Sequence, residues 1–191
     1  MYPINLIVAT FKQKLENKTV EPIAIKDKIP INDKSDKAFF KEITSNSTMF
    51  VTSKTLQDML IYTNKEGLLS RNRFVKYFTF KGTAVKGFEE HMISVNSKYE
   101  VLKSIWDAAQ QGNVSVIGGS SLYDTILEDD RLFFKTNVFK VEFAPTEHVD
   151  IATSQNELTS LRYIDRLNEK ASNIFKKYTS KEGNNITIYT S

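Results

Sequence analysis

The sequence predicts a single α/β domain, with a mainly parallel central sheet flanked by helices and one extra long helix near the C-terminus. Three observations predict it. Short apolar runs rich in β-branched residues recur along the chain, beginning with INLIVAT at 4–10. Stretches of helical spacing separate them, and strands alternating with helices favour a parallel sheet. From Asn156 to Tyr178, Leu158, Leu161, Ile164, Leu167, Ala171, Ile174, Phe175 and Tyr178 recur at helical intervals.

Each element has its own warrant. The run at 4–10 reads as a buried strand. Residues 11–35 are polar, Lys-rich and aperiodic, a long connection of the kind that often carries function. Residues 36–44 place Ala38, Phe39 and Ile43 at helical spacing behind an Asp. TMFVT at 48–52 reads as a strand, and 53–62 as a helix with Leu56, Met59 and Leu60 on one face. RFVKYFTF at 73–80 and His91–Val95 are strand-like. Residues 97–110 form an amphipathic helix that Ser97 can cap, with Glu100 closing a capping box. NVSV then runs into a Gly pair, SSLYDTIL starts a helix, and LFFKTNVFKVEF holds one or two strands. After a GNN break, ITIYT is a terminal strand. The 191 residues suit one domain, 1–191, with a divergent part from about residue 141.

Composition removes several chemistries. There is no Cys, so disulfides, thiolate metal sites and cysteine nucleophiles are excluded. With only His91 and His148, a multi-histidine metal site is excluded too. Twenty-six basic against 23 acidic residues leave a net charge of +3, too small and scattered to indicate a nucleic-acid or membrane partner. No apolar stretch reaches the ~18–20 residues that span a bilayer. The N-terminus lacks a basic region and a cleavage site. The expectation is a cytoplasmic chain, monomeric or homodimeric, with no metal.

Three clusters could carry chemistry. In Val116-Ile117-Gly118-Gly119-Ser120-Ser121-Leu122-Tyr123 a strand ends on two glycines and a helix begins. Such a corner lets a backbone approach a ligand and offers helix N–H groups to a phosphate; it is also an ordinary tight turn. Asp36, ahead of a helix, is a natural cap, or a carboxyl in an apolar cleft that hydrogen-bonds a heterocycle. Arg71, in a loop before a strand, is a solvated charge or a fork aimed at a carboxylate.

In this order and spacing, the clusters resemble dihydrofolate reductase over roughly residues 4–140. Leu6-Ile7-Val8-Ala9 matches the family's first strand, and Ile29-Pro30-Ile31 the end of its mobile loop. Asp36 falls at the acidic position, followed by Phe39-Phe40-Lys41 and Glu42-Ile43-Thr44. Thr52-Ser53-Lys54-Thr55 stands for a Gly-Arg-x-Thr segment, Leu68-Leu69-Ser70-Arg71 for Leu-Pro-Gly-Arg, and Ile117-Gly118-Gly119 with Tyr123 for Ile-Gly-Gly and its helix. The polar stretch 12–22 is longer than usual, somewhat as in phage-type members.

The resemblance implies NADPH-dependent reduction of 7,8-dihydrofolate to tetrahydrofolate, with antifolates such as methotrexate or trimethoprim as inhibitors. It makes Asp36 the catalytic residue that helps protonate the pterin. It places Ile7, Val8, Ala9, Phe40, Met59, Leu68, Ile117 and Tyr123 around the substrate, with Arg71 on the glutamate carboxylate. It gives Ala9, Ile23, Ala24, Ser53, Lys54, Thr55, Gly118, Gly119, Ser120, Ser121, Leu122 and Tyr123 to the cofactor.

The sequence departs from the family pattern at Ile31, where the loop has Trp, and at Ser53, where an Arg meets the cofactor's 2′-phosphate region; Lys54 could take that charge. Lys135 falls where a Thr supports the acidic residue, and a Lys beside Asp36 would oppose proton delivery. Two other readings stand beside the reductase. One is a non-catalytic protein of the same fold, a binding or structural component, for example of a phage assembly. The other is a related enzyme acting on a ribosylated pyrimidine, against which SDKAFFKEIT argues.

Overall fold

The computed structural model describes residues 1–25, 37–143, 154–166, 174–181 and 183–190. The first apolar run forms β1 (Ile4–Thr10). Its Ile4, Leu6 and Val8 are wholly buried in one cluster with Val101, Ile105, Ala109, Leu122 and Ile126. Ile7 joins a second cluster with Met49, Val51, Leu56 and Leu68. Successive side chains of a strand point to opposite faces, so one apolar heptapeptide supports a layer on each side.

The stretch expected to be an aperiodic connection carries structure of its own. A small hairpin, β2 (Gln13–Leu15) and β3 (Lys18–Val20), is followed by β4 (Ala24–Ile25). Its tip is Glu16-Asn17, both at positive φ, as a tight hairpin turn requires. Next come α1 (Lys37–Thr44), β5 (Ser47–Thr52) and α2 (Ser53–Met59), each near its predicted place. A short α3 (Lys65–Leu69), capped by Asn64, lies in a region without predicted structure.

Then follow β6 (Phe74–Thr79), β7 (Met92–Ser94), α4 (Lys98–Gln111) and β8 (Asn113–Val116). Ser97 caps α4 by accepting from the Glu100 N–H at 3.3 Å. The Glu100 carboxylate reaches back one residue further than a standard capping box, to the Asn96 N–H at 2.7 Å. After α5 (Ser120–Glu128), the LFFKTNVFKVEF segment divides between the end of α6 (Asp130–Phe133) and β9 (Thr136–Glu142).

The long C-terminal helix is corrected. The described part of 156–178 contains no α-helix: β10 (Leu158–Thr159) pairs with β4, and β11 (Ile174–Thr179) pairs with β12 (Asn185–Tyr189). Between them Leu161 is buried, and the Arg162 and Tyr163 N–H groups each donate to the Asp124 carboxylate of α5 at 3.1 Å. A chain draped over a helix and dipping apolar residues at intervals mimics helical spacing. Two β-prone runs around a Gly-containing turn form a hairpin instead.

One sheet of eight strands results, in the order β11-β12-β9-β1-β8-β5-β6-β7. Every pair from β9 to β7 is parallel, while β12 and β11 are added antiparallel. This is the α/β domain with a large, mainly parallel sheet flanked by helices that the sequence predicts. Among the described residues no helix is long and apolar enough to cross a membrane.

Candidate active site

At the carboxyl ends of β1, β5 and β8, where open α/β sheets hold their ligands, the structure has a cleft of about 590 Å³. The end of β1 contributes Ile7 and Ala9. The β5–α2 corner contributes Thr52, Ser53, Lys54 and Thr55, and the β8–α5 corner Ile117, Gly118, Gly119, Ser120, Ser121 and Tyr123. Phe40 of α1, Met59 of α2 and Leu68 of α3 form an apolar wall, and Ile23 and Ala24 also line the cleft.

Two expected residues face the core instead. Strand alternation turns Val8 into the core beneath α4 and α5, and Leu122 packs in that same cluster. Asp36 and Ile31 lie outside the described residues. Lys135 is exposed just before β9, and β9 begins beside Ile4 and ends beside Thr10. The cleft is lined by Val141 and Phe143 at the far end of that strand, roughly 20 Å away at ~3.3 Å per residue. Lys135 is therefore remote from this part of the lining; Asp36, which it was expected to neighbour, lies outside the described residues.

The two corners are tied together by one side chain. The Thr52 N–H donates to the Gly118 carbonyl at 2.7 Å. The Thr52 Oγ1 accepts from the Gly119 N–H at 3.1 Å and from the Thr55 N–H at 3.3 Å, and donates to the Thr55 Oγ1 at 3.1 Å. The Gly118–Gly119 peptide is cis, and Gly118 has φ +130°, a region side chains avoid. A Cβ on Gly119 would lie 2.8 Å from the Thr55 Oγ1. Both glycines are thus demanded by the protein's own packing. The helix they precede has no side-chain cap, whereas Thr52, Asn64, Ser97 and Asp129 cap α2, α3, α4 and α6. Its first N–H groups, orphaned within the helix, border the cleft at Ser120 and Ser121.

Tyr123 is buried, and its hydroxyl donates to the Ile7 carbonyl at 2.6 Å. Burial pushes its phenol well above the ordinary value, so it holds its proton and anchors the end of β1. Arg71 stands exposed at φ +60° and is absent from the cleft lining; Arg73 lines the cleft instead. Arg73 is buried, with its fork on the Gly67 carbonyl at 2.6 Å, the Ser70 carbonyl at 2.8 Å and the Thr44 hydroxyl at 3.3 Å. Burial, and then the neighbouring Arg71, pull its pKa below the ordinary guanidinium value.

The lining also includes Thr52, Arg73, Val141 and Phe143, none of them an expected site residue. Thr52 carries a visible signal, a hydroxyl residue between a strand and a helix, which is the N-cap pattern. Arg73 carries none, because nothing local distinguishes it from Arg71.

No model of a known protein family matches this chain, and no curated protein matches it in sequence. Solved structures do match it, 226 chains in all. One is the crystal structure of a protein assigned provisionally to riboflavin biosynthesis from Shewanella sp. PV-4. It superposes with a TM-score of 0.58 over 98% of both chains at 17% identity. That identity shows the fold alone.

Proposed function

We propose that this chain is an NADPH-dependent reductase of a reduced pterin, converting 7,8-dihydrofolate to 5,6,7,8-tetrahydrofolate. One observation carries the reading: the uncapped start of α5 behind Gly118-Gly119 opens onto the same cleft as the apolar wall of Phe40, Met59 and Leu68. A dinucleotide needs the first and a flat heterocycle the second. The residues fit the cofactor on the evidence of the free α5 N–H groups and of Lys54 beside them in the lining.

In this reading Ser53, Lys54, Thr55, Ser120 and Ser121 hold the cofactor's phosphates. Ala9, Ile23 and Ala24 border its nicotinamide. NADPH supplies a hydride when bound. Ile7, Phe40, Met59, Leu68 and Ile117 exclude water around the pterin and fix its plane. Asp36 delivers a proton to the ring nitrogen next to the carbon that receives the hydride. Tyr123, with its proton retained, shapes the floor and is not the acid.

The test is loss of the reduced-nicotinamide absorbance with dihydrofolate, run beside a ribosylated aminopyrimidine as substrate. Turnover with dihydrofolate that methotrexate blocks is the expected result. NADPH binding without turnover would make the chain a binding component, turnover with the pyrimidine alone would move it to the other chemistry, and no NADPH binding would end the reductase reading.

A further inference from the structure

We propose that Thr52 is a positioning residue that makes the Thr55 hydroxyl an outward donor and draws the Gly119 N–H inward, so that this corner of the cleft offers an anion donors only. The inference rests on the proposed nucleotide-binding reading and adds a residue to it. A hydroxyl has one proton and two lone pairs. The Thr52 Oγ1 spends both lone pairs, on the Gly119 and Thr55 N–H groups, and its proton goes to the Thr55 Oγ1. The Thr55 oxygen is therefore an acceptor on the protein side. Its own proton finds no acceptor among the described residues, and Thr55 lines the cleft.

The ligand consequently meets the Thr55 O–H and the N–H groups of Ser120 and Ser121. The Gly119 N–H, bound to Thr52, is withheld. Such a face complements phosphate oxygens and disfavours a ligand that presents its own donor at this point. Thr52 also stands where the resembling Gly-Arg-x-Thr segment has a glycine, so the tie comes from a side chain that pattern lacks. The same segment carries Ser53 in place of the guanidinium, which leaves hydroxyls a larger share of anion recognition here.

The test compares Thr52→Val, which removes the hydroxyl at nearly constant volume, with Thr52→Ser, which keeps it. Gly119 amide exchange by NMR reads the tie without any ligand; calorimetry with NADPH and with inorganic pyrophosphate reads its consequence. In Thr52→Val the Gly119 amide should exchange at least about tenfold faster, and both ligands should bind about tenfold more weakly, a charge-assisted hydrogen bond's worth. Thr52→Ser should restore both within about threefold. Thr55→Val, which removes the outward proton together with the acceptor of the Thr52 proton, should weaken pyrophosphate similarly, and adding Thr52→Val to it should cost little more. These variants keep the proposal testable if Thr52→Val does not fold.

Unchanged pyrophosphate affinity in Thr52→Val, a protected Gly119 amide there, or failure of Thr52→Ser to restore binding would each overturn it. A wild type that binds pyrophosphate but not NADPH ends the reductase reading and supports this one. A wild type that binds neither overturns both.

Discussion

The wall of the cleft made by Thr52, Thr55, Gly118 and Gly119 and the wall made by Phe40, Met59 and Leu68 are held by different forces. The first is a set of hydrogen bonds between two strand–helix corners, with distances of 2.7–3.3 Å and almost no spare volume around the glycines. The second is apolar burial, in which Leu68 is 2% exposed and Phe40 and Met59 pack on the same cluster. A hydrogen-bonded corner fails when one atom is added or removed. A packed wall responds in proportion to the volume lost. Ligand selectivity should therefore be brittle on the first wall and graded on the second.

The largest expected effect bears on the chemistry between the walls. If the chain reduces dihydrofolate as proposed, Asp36→Asn should lower that turnover by about 10²–10⁴ with the fold intact, as loss of a general acid–base group does. Steady-state kinetics on a variant with a wild-type unfolding midpoint checks it, and undiminished turnover would remove Asp36 from the mechanism. Next comes Leu68→Ala, which should cost about 2–5 kcal/mol of stability and weaken methotrexate more than NADPH. Urea unfolding and calorimetry measure the two halves of that statement. On the opposite wall, Gly119→Ala drives a methyl against the Thr55 hydroxyl, a strain of about 1–3 kcal/mol. NADPH affinity should fall much further than methotrexate affinity; equal losses would mean that the two walls are not separate.

Tyr123 bridges the walls by holding the Ile7 carbonyl. Its raised pKa means that the folded state keeps the proton longer than the unfolded chain. The associated stability is thus fully present below about pH 10 and is lost as pH rises beyond it. Tyr123→Phe should flatten that alkaline loss while costing about 1–3 kcal/mol at neutral pH, because the Ile7 carbonyl is left unpaired. Unfolding midpoints taken from pH 7 to 11 decide it. The smallest effect on the fold belongs to Arg71→Leu, within about 0.5 kcal/mol for an exposed side chain. If Arg71 serves a ligand carboxylate, methotrexate should weaken and trimethoprim, which lacks the glutamate tail, should not. The same loss for both would turn attention to Arg73.

The parallel half of the sheet was legible because its signals are local: β1, β5 and β8 are short apolar runs, and α4 carries its own cap at Ser97. The cleft was legible mainly through resemblance, since residues as distant as Ile7, Thr55, Leu68 and Gly118 meet only through topology. The spacing of Leu158, Leu161 and Ile164 misled, because periodicity reports burial at intervals and not the backbone path that produces it. IFKKYT and NITIY around Gly183 held the better clue. The β2–β3 hairpin stayed hidden because Glu16-Asn17 is not a strong turn pair. Arg73 could not be separated from Arg71, because which of two neighbouring guanidinium groups turns inward depends on carbonyls at Gly67 and Ser70 that no pattern reveals.

The place of β1 in the sheet has a consequence for how the chain is made. β1 leaves the ribosome before both of its neighbours in the sheet, β8 and β9, the latter ending at Glu142. At ~5–20 residues per second, INLIVAT emerges roughly 7–26 seconds before its second partner strand has been synthesised. Until β8 is made that β-prone apolar heptapeptide has both edges unpaired, and until β9 is made one edge stays open to other chains. Slowed synthesis between residues 11 and 142 should therefore favour aggregation, whereas the same delay after residue 142 should not. Yield in the cell would then depend on elongation rate across the middle of the gene more than on the stability of the finished fold.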